Sequence, residues 1–297
     1  MSKYSALLNH PAVKKAKASP KKPPVRFIMC PPKYLSTAIP NNVFMDKKEP
    51  VDVPRALAQY ARFKNAVMAL GVDVLEIPAT EGCQDQTFVA NIGISIEPYI
   101  VLANYKAPGR ACEVPPARKF FETLGYECIQ PPFHFEGYAD LKPWKDGIYF
   151  GGVGQFTDQR ALDWIAKKTG VRIISLNETN AKAYHLDCNL IFLNEKAAIV
   201  NPAGLDRQSI AKLEQVVEVI QQPKGLETTG ITNGVMIPGQ PIYCSGTFNP
   251  EQPDYRKAME WLLETMDKFG VSVFLMDTDA VDVSGADLSC TVMPLTF

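Results

Sequence analysis

The sequence lacks a long hydrophobic run and lacks an excess of charge of either sign. No stretch of about 18 apolar residues is present, so the sequence offers no membrane span, and no apolar segment of the signal-peptide kind follows the first residues. The 31 Lys and Arg residues almost balance the 32 Asp and Glu residues, for a formal net charge of −1. A nucleic-acid polyanion is therefore not supported as a partner. We expect a cytoplasmic protein without a membrane or nucleic-acid partner, and whether it forms a homo-oligomer is left open.

Metal-binding cysteine patterns are also missing, and histidine is scarce. The seven cysteines are widely spread, with no CxxC and no Cys/His spacing of the zinc type. With no export signal, we expect reduced thiols, most of them small buried side chains. There are three histidines. His10 lies near the N-terminus, so His134 and His185 are the candidate imidazole bases.

The first 24 residues differ in composition from the rest. VKKAKASPKKPP at 13–24 is rich in Lys and Pro, and predicts a flexible basic arm over 1–24. Over the whole chain, 46% of residues are hydrophobic, which is enough to bury a substantial core. We expect residues 25–297 to form one domain.

A repeated pattern of strands and helices predicts an α/β fold. Helical periodicity marks five segments, at about 54–70, 113–125, 157–169, 206–221 and 254–269. Four of them run into a Gly and then a β-rich segment, and Gly is the expected residue just past a helix end. The spacing of about 50 residues between helices is typical of a repeat architecture. We predict about five strand–strand–helix–strand units that close on each other, so that their loops meet at one end of a central axis.

Four short stretches place polar residues where the apolar pattern predicts strand entries. They are DQTFVAN at 85–91, FHFEGYAD at 133–140, HLD at 185–187 and SGADLSC at 284–290. Each has a structural interpretation, because carboxylates beside Gly are common in turns and a Cys before a strand is usually a core thiol. A nucleophilic Cys, however, needs a nearby base or cation to form its thiolate. In a closed repeat fold these stretches can converge, so that one of them supplies the base or cation for the Cys of another.

The four stretches resemble motifs of the guanidino-modifying enzymes of the pentein fold. That family includes arginine deiminase, dimethylarginine dimethylaminohydrolase, the arginine and succinylarginine dihydrolases and the amidinotransferases. The resemblance runs from RFIMCPP at 26–32 to the end of the chain. It implies a five-bladed α/β propeller of ββαβ units around a pseudo-fivefold axis, which agrees with the repeat pattern.

The resemblance also implies roles for individual residues. Cys290 looks like the family's nucleophile, His185 like its general acid/base, and Glu136 like the carboxylate that contacts the guanidinium and orients the histidine. Further substrate-binding positions are implied at the other acidic and amide residues of the motifs: Asp85, Asn91, Asp140 and Asp187.

The implied chemistry is a covalent hydrolysis of a guanidinium. Carboxylates such as Glu136 and Asp187 can hold the planar cation, and the bound cation favours the Cys290 thiolate. Attack gives a tetrahedral adduct, His185 protonates the departing amine, and the thiouronium left on Cys290 is hydrolysed by water that His185 activates. This chemistry needs no metal and no organic cofactor.

Two departures from the family bear on the substrate and the product. Asn91 stands where deiminases carry Asp and where dihydrolases carry Asn, which favours a dihydrolase that gives ornithine, ammonia and carbon dioxide. Phe156 stands where the family has an Arg for the substrate carboxylate. Arg160 and Arg110 are candidate replacements, although both also suit a solvated helix start or loop.

Three alternatives stay open at this stage. One is a single-step hydrolase of arginine or dimethylarginine that gives citrulline. Another is an amidinotransferase, which hands the amidino group to an amine. The third is a catalytically silent pentein that only binds, like the ribosome-binding translation factor of the same fold.

Overall fold

A computed structural model describes residues 26–45, 50–226, 229–246 and 253–295. The predicted basic arm, 1–24, lies outside the described residues. The strands are β1 Arg26–Met29, β2 Asp73–Glu76, β3 Gly93–Ile96, β4 Tyr99–Leu102, β5 Glu127–Ile129, β6 Leu141–Pro143, β7 Ile148–Val153, β8 Arg172–Asn177, β9 Leu190–Phe192, β10 Ala197–Val200, β11 Glu218–Gln221, β12 Val235–Met236, β13 Ile242–Ser245, β14 Ser272–Leu275 and β15 Met293–Leu295. The helices are α1 Val53–Ala69, α2 Val114–Thr123, α3 Gly137–Asp140, α4 Gln159–Thr169, α5 Arg207–Glu214, α6 Pro253–Lys268 and α7 Asp279–Asp282.

The strands form five three-stranded sheets of the same design. In each sheet the central strand pairs antiparallel with one neighbour and parallel with the other. In the third sheet, for example, β6 runs antiparallel to β7, and β7 runs parallel to β8. A parallel pair needs a long crossover, and a helix such as α4 supplies it. The predicted ββαβ repeat and the five-bladed propeller are confirmed.

The first sheet is assembled from opposite ends of the described chain. Its order is β15-β1-β2, with Ile28 of β1 opposite Met293 of β15 and parallel to Leu75 of β2. The last described strand therefore completes the sheet that the first described strand begins, and the five sheets close into a ring.

Glycines end the helices as the sequence predicts, with one helix shorter than expected. Gly71, Gly125, Gly170 and Gly270 all have a positive φ, the left-handed conformation that a helix end favours. The predicted helix 206–221 is wrong in its second half, because α5 ends at Glu214 and residues 218–221 form β11 against β10. The run VVEVI at 216–220 is β-branched, and such side chains pack better on a sheet than on a helix.

The central strands lie between layers and are buried on both sides. In β4, Ile100, Val101 and Leu102 are fully buried, which explains why these strands read as continuous apolar runs. The outer antiparallel strands β6, β9, β12 and β15 line a common cavity of about 210 Å³. These four strands therefore surround the central axis, and the loops that precede them lie at its end. No helix in the described part of the chain is long and apolar enough to cross a membrane.

The structure corrects the expectation that every cysteine is reduced. Cys83 and Cys112 form a disulfide, with their Cα atoms 5.8 Å apart and a sequence separation of 29. The two loops meet only in the fold, and their spacing in the sequence matches no disulfide signature. Five described cysteines are free thiols: Cys30, Cys128, Cys188, Cys244 and Cys290.

Candidate active site

The predicted site residues occupy the same position in different repeats, just before an outer strand at the axis. Asn91 ends a short 3₁₀ helix (Val89–Asn91) before β3, and Glu136 immediately precedes α3, which leads into β6. His185 precedes the 3₁₀ helix Leu186–Cys188 before β9, and Cys290 lies in the 3₁₀ helix Leu288–Thr291 before β15. The fold thus brings together side chains that are up to 199 residues apart in the chain.

A buried imidazole–carboxylate pair forms one wall of the site. His185 Nε2 lies 3.1 Å from Glu136 Oε2, and both side chains are nearly inaccessible to solvent. Asn91 Nδ2 lies 3.4 Å from the same Glu136 oxygen and 3.4 Å from His185 Nε2. Burial lowers the pKa of His185, but the carboxylates of Asp140 and Glu136 outweigh it and raise that pKa to about 9. The imidazole is therefore protonated at neutral pH.

Asp140, predicted from the sequence to bind the substrate, lies behind this wall. It is fully buried and does not line the site cavity. Its Oδ1 accepts from the Leu186 backbone N–H at 3.1 Å, and its Oδ2 accepts from the Thr157 hydroxyl at 2.6 Å. The turn of α3 directs the side chain toward the His185 segment, so both oxygens are already engaged. Burial raises the pKa of Asp140 to about 6, against the opposing effect of His185.

Cys290 faces this wall with its sulfur held between Asp187 and an amide. Its Sγ lies 3.8 Å from Asp187 Oδ2 and 3.6 Å from Asn233 Nδ2. Asp187 Oδ2 also accepts from the Ser289 hydroxyl at 2.7 Å. Burial, followed by the charge of Asp187, raises the pKa of the Cys290 thiol well above its ordinary value. The sulfur is therefore protonated, and a bound cation favours the thiolate.

Arg110 and Asp85 complete the site on the third side. Arg110 is buried and makes a two-point ion pair with Glu113, at 2.8 and 3.0 Å, while its Nη1 lies 3.8 Å from Glu136 Oε2. Asp85 accepts from the side-chain amides of Asn41 and Gln84 through Oδ2. Burial raises the pKa of Asp85, and Arg110 opposes this shift.

Two carboxylate oxygens in this site have no hydrogen-bond partner among the described residues. They are Asp85 Oδ1 and Glu136 Oε1, and both are buried. A buried acceptor left unsatisfied costs roughly 1–3 kcal/mol, more when it is charged. Both side chains therefore offer a binding position for a cation that donates N–H groups.

The cavity between these groups is narrow. It measures about 30 Å³, roughly the volume share of one water molecule. Besides the residues above, an aromatic pair closes it: the Phe156 ring lies 5.2 Å from the His185 ring and 5.3 Å from the Tyr184 ring. Side chains at the rim must move before a substrate enters. Position 156, where the family has Arg, is thus occupied by an apolar ring in contact with the imidazole.

The structure excludes Arg160 from the site. Its side chain is 68% exposed, pairs with Asp158 at 3.4 Å and stacks over the Phe133 ring. It is the second residue of α4, faces solvent there and does not line the cavity, although the sequence made it a candidate for the substrate carboxylate. Of the two predicted arginines, Arg110 alone lines the cavity.

Sequence reasoning missed Asn233. This residue comes from the repeat in which no site residue was predicted. It stands in ITNGVM, two residues before β12, just as Asn91 stands two residues before β3. That equivalence was the available signal. Glu113, which holds Arg110, gave no signal because it reads as an ordinary helix-start carboxylate. In the described ranges no group of three or more His, Cys, Asp or Glu side chains is placed to hold a metal ion.

Comparisons with known proteins agree with this arrangement. No protein-family model matches the chain. A dimethylarginine dimethylaminohydrolase from Mycobacterium tuberculosis is 31% identical over 191 residues, which cover 64% of this chain and 62% of that protein. The bifunctional arginine dihydrolase/ornithine cyclodeaminase ArgZ from Synechocystis sp. is 25% identical over 194 residues, 64% of this chain and 27% of that protein. Each match thus spans less than two thirds of the relative's own length.

Solved structures extend the likeness to nearly the whole chain. The N-terminal domain of ArgZ, an arginine dihydrolase from cyanobacteria, matches with a TM-score of 0.82 at 20% identity, over 92% of this chain and 98% of that domain. The shared architecture is the ring of five sheets described above. The chain therefore shares the five-sheet pentein fold with the ArgZ domain and is similar in sequence to a dimethylarginine dimethylaminohydrolase and to an arginine dihydrolase.

Proposed function

We propose that the chain is a cysteine-dependent hydrolase that acts on the guanidino group of arginine or an arginine derivative. The observation that carries the proposal is the pair of unpartnered carboxylate oxygens, Asp85 Oδ1 and Glu136 Oε1, in the cavity that Cys290 and His185 line. A guanidinium is a planar cation with five N–H donors when it is part of an arginine side chain. It satisfies both orphaned oxygens at once and places its central carbon near the sulfur.

The charge of the substrate activates the nucleophile. Burial and the charge of Asp187 keep Cys290 protonated until a cation binds. A guanidinium beside the sulfur opposes both effects, because a nearby positive charge stabilises the thiolate. The thiol releases its proton to solvent, and the thiolate attacks the central carbon to form a tetrahedral adduct. The first attack is thereby favoured for molecules that carry the cation.

His185 supplies the proton that the reaction needs. It is protonated at neutral pH and hydrogen-bonded to Glu136, so it can donate to the departing amine as the adduct collapses. The deprotonated imidazole then accepts a proton from water, which attacks the thiouronium on Cys290. Hydrolysis restores the thiol and the protonated imidazole, so one residue serves as acid and then as base.

We further propose that the reaction runs through two hydrolytic steps to ornithine, ammonia and carbon dioxide. Asn91 supports this, because a neutral amide rather than a carboxylate lies beside Glu136 and His185. A neutral amide holds a cation less tightly than a carboxylate does, and it does not discriminate against an uncharged ureido intermediate. That intermediate can therefore react a second time. The relative ArgZ is itself named an arginine dihydrolase.

The test is to incubate the purified protein with L-arginine, with Nω-methylated arginines and with agmatine, and to identify the products by mass spectrometry. Ornithine with two ammonia per arginine supports the two-step reaction. Citrulline as the end product contradicts the two steps but keeps the guanidino hydrolase. No turnover of any guanidine by wild-type protein, with Cys290 intact, would overturn the proposal.

Two variants make this test specific to the site. Cys290→Ser is expected to lose all turnover while it remains folded. Asn91→Asp restores the deiminase residue and is expected to accumulate citrulline, because the carboxylate favours the cationic substrate over the neutral intermediate. If Asn91→Asp still gives ornithine alone, the role assigned to Asn91 is wrong.

A further inference from the structure

A side chain from the repeat of β12, β13 and β14 contacts the sulfur of Cys290. Asn233 is 4% exposed and lies two residues before β12. Its Nδ2 lies 3.6 Å from Cys290 Sγ and 3.4 Å from Cys188 Sγ. Its Oδ1 accepts from the Ser289 backbone N–H at 3.2 Å and lies 2.7 Å from the Ser289 hydroxyl. One amide therefore reaches both the sulfur and the residue before it.

The contact with Ser289 fixes which way this amide points. The oxygen and nitrogen of an Asn side chain are not distinguished by shape, so their assignment must come from their partners. A backbone N–H can only donate, and the Asn233 atom that receives the Ser289 N–H must therefore be the oxygen. The other atom, which faces the sulfurs, is consequently the NH₂ group, a donor.

The loop that carries Asn233 is held rigidly on both sides. The Asn233 backbone N–H donates to Gly230 O at 2.8 Å, and the Thr232 hydroxyl donates to Cys188 O at 2.6 Å. On the other side Gly234 admits no side chain, because a Cβ there would lie 2.3 Å from Tyr243 Oη and 2.5 Å from Cys244 O. The donor is thus preorganised at the sulfur, and it needs no rearrangement when charge develops there.

Most groups around this sulfur disfavour negative charge. Burial and the Asp187 carboxylate raise the pKa of Cys290, and Asp287 adds to this with its charge. The groups that oppose them are a backbone hydrogen bond at Asp287 and the Asn233 amide. The other titratable groups that interact with the sulfur are Cys188, Tyr184 and the buried ammonium of Lys142.

We propose that Asn233 is a further catalytic residue, which stabilises the Cys290 thiolate through Nδ2 and holds the Ser289–Cys290 segment in place through Oδ1. The proposal rests on the proposed function in that it takes Cys290 as the nucleophile. It assigns the repeat of β12, β13 and β14 a share in the chemistry, alongside the repeats that supply Asn91, Glu136, His185 and Cys290.

The test measures the reactivity of Cys290 without any substrate. Wild-type protein and variants are treated with iodoacetamide between pH 6 and 10, and alkylation of the peptide that carries Cys290 is followed by mass spectrometry. The decisive variant is Asn233→Asp, which keeps an acceptor for Ser289 but replaces the donor with a carboxylate oxygen. Hydrogen bonds to charged groups contribute more than neutral ones, so we expect alkylation at pH 8 to fall about tenfold or more.

The matched control is Asn194→Asp. Asn194 is exposed, and its Oδ1 accepts from the backbone N–H groups of Lys196 and Ala197, which Asp also does. This variant adds the same charge far from the site and is expected to alkylate as wild type. If Asn233→Asp matches Asn194→Asp, the residue only shapes the loop and the proposal is overturned.

A second variant covers the case in which Asn233→Asp does not fold. Asn233→Ala removes the donor without adding charge, and we expect a drop in Cys290 alkylation of about three- to tenfold at pH 8. Alkylation at the wild-type rate would also overturn the proposal. The alkylation measurement uses no substrate. If the protein turns over no guanidine, the proposed function is contradicted, but the alkylation measurement still tests the role of Asn233.

Discussion

His185 is the side chain whose charge the site controls most directly. Asp140 lies behind its segment and Glu136 contacts its ring, and together they hold a proton on the imidazole although burial disfavours it. An imidazolium in contact with carboxylates is suited to donate a proton first and to accept one later. The order of the two steps in the proposed reaction therefore follows from the protonation state of the resting site.

A pH profile tests this protonation state. The pKa of His185, about 9, lies above its ordinary value of 6.5, so the protonated form persists through neutral pH and is lost as the pH rises through about 9. We expect kcat/KM for the guanidino substrate to fall above that pH. In Asp140→Asn, which removes the largest favourable charge, the alkaline limb should move down by about one unit or more.

Asp158→Asn is the control for that experiment, because it makes the same change at a half-buried residue that pairs with Arg160 outside the site. It should leave the alkaline limb where wild type has it. An Asp140→Asn profile that overlays both would show that Asp140 does not set the charge of His185.

At the residue scale, the residues that the sequence singled out as rare or reactive are ones that the structure brings together. His185 is one of three histidines, and Cys290 and Glu136 stand in motifs with few structural reasons to exist. The structure places Asp140 and Arg160 outside the cavity, since the direction of a side chain depends on the turn that carries it. Asp140 ends the turn of α3, four residues after Glu136, and lies behind the wall that Glu136 forms.

At the scale of elements, the tight packing of α3 decides where Glu136 lies. Gly137 has a φ of +63°, and a Cβ there would lie 2.5 Å from Ala90 O and 2.8 Å from Asn91 O. The turn that carries Glu136 therefore rests directly on the backbone that carries Asn91. This close approach couples the positions of two site residues from neighbouring repeats.

Substitution of Gly137 tests that coupling. Gly137→Ala meets both the left-handed strain and a clash with backbone atoms, so we expect a loss of roughly 3 kcal/mol or more of unfolding free energy and loss of turnover. Gly125→Ala has a similar φ of +89° but no atom within 4 Å of the added Cβ. It should cost only about 1–2 kcal/mol and keep full activity. Urea unfolding and turnover measure both, and equal effects of the two variants would contradict the coupling.

The presence of helices and strands was easier to predict from the sequence than the residues at which they end. The glycines after α1, α2, α4 and α6 predicted helix ends, because they have a simple conformational reason. The end of α5 was missed, because the β-branched run that becomes β11 carries no Gly or Pro to separate it from the helix. Its pairing with β10 decides the matter, and that contact is not local.

At the scale of the whole molecule, closure of the ring holds the nucleophile. Cys290 lies three residues before the start of β15, and β15 is held in place by pairing with β1, Ile28 lying opposite Met293. The repeat period predicted the ring, since five similar units need neighbours on both sides to bury their faces. The pairing of the two ends could not be read from local pattern.

Two isoleucines in equivalent central strands test the importance of closure. Ile28 in β1 and Ile199 in β10 are both fully buried, and each lies opposite an apolar residue of an outer strand. Either change to Ala should cost about 2–5 kcal/mol. Only Ile28→Ala should also raise hydrogen exchange over residues 288–293, because β1 is the strand that holds β15. Equal protection of this segment in the two variants would show that closure does not restrain Cys290.

The β1–β15 pairing also bears on what an incompletely folded molecule can do. His185, Glu136 and Asn91 all come from repeats within the chain, whereas Cys290 arrives with the strand that seals the ring. An open ring would still present the carboxylates that attract a guanidinium, but it would lack a sulfur to react with it. Such a molecule would bind a guanidinium without reacting with it. The covalent reaction would become possible only after β15 has paired with β1.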